Sequence, residues 1–353
     1  MTVVYLVRHA QAEGNLYRRC HGWYNSMITT AKGMRQIAAL EARFRSIPVD
    51  AIYSSDLLRT MATAQAVCGP KRLFLHTDPQ LREIHAGCWE DRPWGELLAR
   101  DPDSLLGFWH SDCRWSAPGS ETFPAVRNRI TAAVERIAAA HPGQTVAIFT
   151  HGAAIRCALS RWLHLPEDKI GTVPHGDNTA VTRLEIENGH VKVCWLNDVS
   201  HLPAELAAPA GTQAAEEQST ALIAQRSLYF HPIADLTCSP VCASYHLEGY
   251  RAEGPGLEVL REGSAAGLLQ TCQGGMVSVL YLAPRFRGQG LGVQLVGQAV
   301  SDVLAQGAAV LTLPCPAMPA ARRYLEALGF LPVGGAADTL SLPIARPAAP
   351  DLR

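Results

Sequence analysis

Apolar residues gather in short runs at residues 3–7, 51–53, 73–75 and 146–149, and stretches with an apolar position every three or four residues separate most of them. Runs of that length suit strands buried on both faces. The alternation therefore predicts an α/β sandwich, a largely parallel sheet covered by helices. Met34, Ile37, Leu40 and Phe44 predict the core-facing stripe of one helix, and Phe123, Val126, Ile130, Val134 and Ile137 that of another. After Asn178 the pattern changes to alternation over 181–186 and 191–196, joined through Asn188-Gly189, a pair that tolerates the positive φ of a tight hairpin.

The hairpin is expected to complete a first domain, residues 1–204. Residues 205–225 turn to Ala, Pro, Gln and Glu with little periodicity, which predicts a solvated connector. A second domain is expected over 226–345, with a tail over 346–353. Within it a strand at 277–282 runs into a glycine-rich turn and then a helical stripe through Leu295, Val296, Val300 and Leu304, followed by a strand at 310–313. A chain of 353 residues exceeds what one core usually serves, so two domains agree with its length.

Composition narrows the partners. Hydrophobic residues make up 48% of the chain and charged residues 18%, and 31 basic against 32 acidic side chains leave a net charge of −1. No basic stripe exists to attract a polyanion, so nucleic acid is not an expected partner. The N-terminus runs directly into a strand without a signal-peptide pattern, and no stretch approaches the roughly 20 apolar residues of a membrane span. A soluble, cytoplasmic protein is expected. Its ten cysteines are scattered, which suits reduced thiols. Cys238, Cys242 and His246 have a spacing that could offer zinc ligands, but a fourth ligand is missing nearby and Pro240 interrupts any helix, so no metal site is expected.

The chemistry concentrates at strand ends. Arg8-His9 closes the first run, Thr150-His151-Gly152 follows the run 146–149, and Arg59 follows Tyr53-Ser54-Ser55-Asp56. Open α/β sheets place ligands at such ends. Two guanidinium groups offer planar forks of donors to phosphate oxygens, and a neutral imidazole can attack phosphorus. Phosphoryl transfer then depends mainly on alignment and electrostatic stabilisation, with no metal required. His9 must keep its attacking nitrogen unprotonated, the other nitrogen being held by a backbone acceptor. Glu83, in Leu81-Arg82-Glu83-Ile84, is the candidate proton donor to the leaving alkoxide and later the base for water.

Leu6-Val7-Arg8-His9-Ala10-Gln11-Ala12-Glu13-Gly14-Asn15 resembles the opening signature of the histidine phosphatase superfamily, the phosphoglycerate-mutase-like phosphatases. Tyr53 to Thr60 with Thr63-Ala64, Leu81-Arg82-Glu83 and Thr150-His151-Gly152 resemble its later blocks, in family order, over residues 1 to about 200. The resemblance implies a three-layer α/β/α domain. It also implies that His9 is phosphorylated, that Arg8, Arg59 and His151 hold phosphate, that Glu83 donates the proton and that Asn15 lines the pocket. The substrate would be a small phosphomonoester. Two departures stand out: Ala10 replaces the usual glycine, and the Gly-Gly-Glu-Ser block is Gly119-Ser120-Glu121-Thr122. The short segment between Glu83 and Gly119 lacks the paired-arginine insertion of the mutases, which favours hydrolysis over mutase chemistry. His21, His76, His85 and His110 have no such support and are taken as ordinary histidines. Trp23, Trp89, Trp94, Trp109 and Trp115 suit substrate contact and core packing equally well.

Leu282, Arg287, Gly288, Gln289, Gly290, Leu291 and Gly292 place glycines where backbone must curl round an anion before a helix N-terminus. With the strand at 310–313 and Tyr324 to Phe330, this segment resembles the GNAT acetyltransferases over roughly 275–345. The resemblance implies a smaller α+β domain that binds acetyl-CoA and acetylates an amine. Leu325 occupies the position where many such enzymes carry a tyrosine acid, and Tyr324 is one residue out of register. A non-catalytic CoA-binding or substrate-recruiting domain is the alternative.

Overall fold

The computed structural model describes residues 1–25, 29–207, 219–247, 251–333 and 338–344. The expected tail and the middle of the expected connector lie outside the described residues. The chain divides into two compact units. One comprises Met1–Arg92 with Arg100–Leu222, the other Ile223–Arg353 with the short stretch Pro93–Ala99.

The chain from Thr2 to Asp198 forms β1 (Thr2–Arg8), α1 (Glu13–Tyr17), α2 (Ala31–Phe44), β2 (Ala51–Ser54), α3 (Leu58–Lys71), β3 (Leu75–Thr77), α4 (Trp94–Arg100), α5 (Pro102–His110), α6 (Phe123–Ala140), β4 (Thr145–Thr150), α7 (Gly152–Trp162), β5 (Val181–Glu187) and β6 (His190–Asp198). All belong to the first unit except α4, which falls mostly in the second. Its six-stranded sheet has the order β3-β2-β4-β1-β5-β6. The β2-β3, β2-β4 and β1-β4 pairs are parallel, while β5 and β6 form an antiparallel hairpin at the β1 side. Asn188 (φ 51°) and Gly189 (φ 80°) make the tight turn of that hairpin, as their residue types predict.

Helices cover both faces, giving three layers. Val7, Ile37, Leu40, Phe44, Ile52, Val67 and Phe149 form one buried cluster from β1, α2, β2, α3 and β4. On the long helix α6, Val126, Ile130, Val134 and Ile137 are buried, and α6 packs on α7 and β1. Two local expectations need correction. The third strand starts at Leu75 rather than residue 73, because Phe74 is 77% exposed and contributes no buried face. Met34 is also solvent-exposed; the buried stripe of α2 includes Gln36, whose amide finds backbone partners at Gln11 and Leu206.

The C-terminal part of the connector is helical: α8 (Thr220–Arg226) buries Ile223 completely. There follow β7 (Tyr229–Ile233), α9 (Cys242–Leu247), β8 (Gly256–Arg261), β9 (Ser264–Cys272), β10 (Met276–Leu282), α10 (Gly292–Ala305), β11 (Val310–Pro314), α11 (Pro319–Ala327), β12 (Leu331–Pro332) and β13 (Thr339–Pro343). The seven-stranded sheet, β12-β13-β11-β10-β9-β8-β7, is antiparallel apart from the β10-β11 pair. Leu295, Val296, Val300 and Val303 of α10 are buried, and that helix packs on β9, β10 and β11, giving an α+β domain.

Among the described residues no helix is long and apolar enough to cross a membrane, and no group of three or more His, Cys, Asp or Glu is arranged to hold a metal. Cys242 Sγ lies 3.2 Å from His246 Nε2, whereas Cys238 is exposed. All ten cysteines are free thiols.

Candidate active site

Three adjacent strands end together. The order β2-β4-β1 puts the residues after Ser54, Thr150 and Arg8 side by side, and backbone pairing continues past the strands through Ser55 N–H to Phe149 O (2.9 Å) and His9 N–H to Thr150 O (3.0 Å). Two histidines far apart in the chain are thereby brought together. The rings of His9 and His151 have centroids 5.3 Å apart, and both residues are almost completely buried.

Hydrogen bonds set the imidazoles. His9 Nδ1 lies 2.8 Å from the carbonyl oxygen of Ala10; a carbonyl only accepts, so Nδ1 carries the hydrogen and Nε2 keeps its lone pair. Ala10 is held in turn, its N–H donating to Thr63 Oγ1 at 2.9 Å, and the amide of Asn178 donates to the carbonyl of His9 at 3.0 Å. His151 Nε2 shares a 2.9 Å hydrogen bond with Ser55 Oγ, whereas its Nδ1 is buried without a hydrogen-bond partner. Burial, then Arg59 and Arg8, then His21 push His9 well below the ordinary histidine value, against the pull of the Ala10 carbonyl. Burial, Arg59 and His9 do the same to His151. Both rings are neutral near pH 7.

The guanidinium groups enter from different elements. Arg8, at the end of β1, reaches His175 Nδ1 at 3.3 Å and donates to the carbonyl of Gly176. Arg59, in the first turn of α3, is fully buried and donates to the carbonyls of Gly22 (2.7 Å) and His21 (3.3 Å). Among the described residues no carboxylate pairs with it directly and its Nε has no hydrogen-bond partner; burial lowers it to about 10 although Glu83 and Glu90 pull upward. A buried cation with donors to spare is built for an anion.

Glu83 stands at the N-terminus of α7. Its Oε1 accepts the N–H of Ile84 and Ala154 (both 3.0 Å), and Oε2 accepts that of Ala153 (3.1 Å). Arg129 fixes the backbone beneath, donating to the carbonyls of Gln80, Arg82 and Glu83 while pairing with Glu121 at 2.7 Å. That contact explains Gly119-Ser120-Glu121-Thr122: its glutamate anchors the segment bearing Glu83. Asn15 lies on α1, where its Oδ1 accepts the N–H of Ala12 at 3.0 Å.

His21, read from the sequence as an ordinary histidine, and His175, which no motif singled out, belong here. The ring of His21 lies 6.0 Å from that of His9, and a Cβ on Gly14 would come within 2.2 Å of its Nδ1, so α1 needs glycine there. His175 contacts Arg8 and occupies the space beside Gly152, where an added Cβ would meet its ring at 2.2 Å. Glu90 also went unnoticed. It accepts the N–H of Gly22, Trp23, Tyr24 and Ala86 and so folds the His21 loop over Arg59. Trp89 and Trp115 are core residues, 4.8 Å edge to face, whereas Trp23 donates to the Glu83 carbonyl beneath the Arg82 guanidinium.

In the second unit the glycine-rich segment links β10 to α10. Gly288 and Gly290 both have φ 72°, with open space where a Cβ would stand. Arg287 is turned back, donating to Leu282 O at 2.7 Å above the ring of Tyr281, and Gln289 Nε2 donates to Arg285 O at 2.8 Å. Leu291 is buried and Gly292 begins the helix. β10 and β11 pair only at Met276 and Thr312, so the strands part before the turn. Leu325 lies in the core, while the Tyr324 hydroxyl stands 3.2 Å from the Cβ position of Gly292.

The model of the histidine phosphatase superfamily (branch 1) matches residues 4–199, and that of FR47-like protein matches 256–333. A probable phosphoglycerate mutase of Proteus mirabilis is 31% identical over 214 residues, covering 57% of this chain and 95% of the relative. Among solved structures, Bacillus stearothermophilus YhfR is 33% identical with a TM-score of 0.55, covering 57% of this chain and 99% of its own. Phosphoserine phosphatase of Entamoeba histolytica, 23% identical with a TM-score of 0.51 over 57% of this chain and all of its own, shares the fold. With more than half of its length under one family model, this chain belongs to the histidine phosphatase superfamily and carries an FR47-like, GNAT-type domain at its C-terminus.

Proposed function

We propose that the first domain hydrolyses a small phosphomonoester without a metal, through a phosphohistidine at His9. The observation that carries the reading is the His9–Ala10 hydrogen bond inside a pocket shared with His151 and two guanidinium groups. It leaves Nε2 of His9 as a lone-pair donor to phosphorus. Arg8, Arg59 and the free Nδ1 face of His151 hold the equatorial oxygens, where charge sits in a loose transition state. Oε1 of Glu83 already accepts two backbone hydrogens and Oε2 only one, so Oε2 is the oxygen to carry the proton given to the leaving alkoxide. Water, deprotonated by the same carboxylate, then releases phosphate from His9. Asn15 lines the entry.

The name of the Proteus relative favours a second reading, a mutase. Against it, the stretch after Glu83 commits Trp89, Leu105 and Trp115 to buried packing, and Arg114 is paired with Asp112 at 2.6 Å. A phosphomonoester panel, run with and without chelator on wild type and His9→Ala, tests hydrolysis. Chelator-independent phosphate release and an acid-labile phosphoenzyme are expected in wild type, with activity in the variant down by at least roughly a thousandfold. A phosphorylated isomer in place of free phosphate would establish the mutase.

For the second domain the reading is acetyl-CoA binding at Leu282 and Arg287 to Gly292, with an amine as acceptor. The positive-φ glycines let backbone N–H groups converge at the start of α10, a cradle suited to a pyrophosphate. When bound, acetyl-CoA would supply the thioester. Thiol release across an amine panel distinguishes a transferase from a domain that binds CoA without turnover.

A further inference from the structure

We propose that His21 is a further residue of the phosphate pocket, one that takes a proton from solvent onto Nε2 as the phosphoryl group enters and returns it as phosphate leaves. The inference rests on the phosphohydrolase reading of the same pocket.

Geometry fixes the ring and its tautomer. His21 lies on the loop between α1 and α2, with its ring against the backbone of Gly14 and 6.0 Å from the His9 ring at 70°. Its Nδ1 is 3.1 Å from the carbonyl oxygen of Arg19, which can only accept. The hydrogen therefore sits on Nδ1, and a neutral His21 presents a bare lone pair at Nε2.

The surroundings make that state conditional. Arg59 of α3 and Arg8 at the end of β1 act on the ring, and the carbonyl of His21 itself accepts from Arg59. The other imidazoles nearby, His9 and His151, are neutral. The carboxylates around this loop bond elsewhere: Glu83 is engaged with N–H groups of residues 84, 153 and 154, Glu90 with those of 22, 23, 24 and 86, and Asp91 with the Arg19 guanidinium. Burial and Arg59 bring His21 down to about 3, against the pull of the Arg19 carbonyl, so these protein groups alone keep the ring neutral near pH 7.

A tetrahedral dianion between Arg8 and Arg59 reverses the local field. A lone pair close to phosphate oxygens is repelled, whereas a protonated Nε2 becomes a charge-assisted donor. Anion binding must then draw in a proton, and affinity must weaken as pH rises.

Calorimetric titration of the full chain with tungstate, a tetrahedral dianion that stays unprotonated near neutrality, measures this directly. Two buffers of different ionisation enthalpy at one pH give the number of protons taken up. Wild type is expected to take up protons, and His21→Gln to take up fewer by roughly one while still binding more weakly. Binding without uptake, or equal uptake in the two proteins, overturns the inference and leaves the phosphate pocket standing. Failure of wild type to bind tungstate removes the pocket itself. A second measurement needs no variant: the ¹⁵N resonance of His21 Nε2 in wild type must move from the unprotonated to the protonated range on tungstate addition, and an unmoved resonance overturns the inference.

Discussion

Nδ1 of His9 lies 2.8 Å from the carbonyl oxygen of Ala10, the residue that replaces the usual glycine of this motif. The contact uses the backbone carbonyl of this fully buried residue, so an alanine side chain leaves it in place. With Nε2 free and the ring pushed well below the ordinary histidine range by burial and two arginines, the proposed nucleophile keeps its attacking form through neutrality and below the ordinary histidine value. Corrected for ionisation of the substrate, kcat/KM is expected to show no acid limb centred near pH 6.5. A pH–rate profile with such a limb, lost on changing His9's neighbours, would count against this assignment.

Stability carries the opposite signature. His9, His151 and His175 are all pushed well below the ordinary value by burial first, then by arginines, so the unfolded chain binds protons that the folded domain refuses. The sign follows: their contribution is intact above the unfolded value of about 6.5 and is lost as pH falls below it, by up to about 1.4 kcal/mol per pH unit for each histidine. Urea denaturation at about pH 7.5 and pH 5.5 should show the midpoint of the first domain falling on acidification. An unchanged midpoint would mean that these rings are charged in the fold.

Arg129 supports the segment that carries Glu83, the proposed proton donor. It joins Glu121 to the carbonyls of Gln80, Arg82 and Glu83, with 12% of its side chain exposed. Arg129→Met removes charge-assisted bonds worth about 1.5–3 kcal/mol each and leaves Glu121 unpaired. A loss of about 3 kcal/mol is expected, with kcat falling about ten- to a hundredfold and KM changing less, because phosphate contacts persist while the acid drifts. Thermal melts and steady-state kinetics check both; a rise in KM alone would contradict the positioning role.

Much of the site is legible from residue order because it sits at strand ends. Arg8, His9, Ser55, Arg59 and His151 each follow an apolar run, and a parallel sheet leaves little choice about which edge such residues share. His21 and His175 are different. Neither follows a strand, and each is placed by partners distant in the chain: Glu90 folds the His21 loop from some seventy residues away, and Arg8 meets His175 across the sheet edge. No periodicity announces such contacts. Gly14 and Gly152 are a trace of them, since each leaves out a side chain where a histidine ring must lie. Propensity failed in the same way at Phe74 and Met34, apolar residues that the packing leaves outside.

That trace is testable at Gly152. A methyl group there would lie 2.2 Å from Cε1 of His175, forcing the ring away from Arg8. Gly152→Ala is expected to cost about 1–3 kcal/mol through overpacking and to raise KM several-fold as Arg8 loses its orientation. Calorimetry and kinetics should show both effects together. A variant with unchanged KM would show that His175 has no hold on Arg8.

In the second domain Gly290 isolates the backbone argument from the steric one. Its φ is 72°, and nothing stands within 4 Å of the position a Cβ would take, so Gly290→Ala clashes with no neighbour. What remains is the left-handed backbone penalty, about 1 kcal/mol or slightly more, acting on the turn that aims N–H groups ahead of α10. CoA affinity is therefore expected to fall about five- to tenfold in equilibrium titration, a loss of the same order as the conformational cost. Arg261→Ala is the control: Arg261 bonds the side chain of Gln289 from outside the turn, so its removal should weaken binding far less. Equal losses in the two variants would place the ligand on side chains of the segment, and an unaffected Gly290→Ala would remove the glycine turn from the binding site.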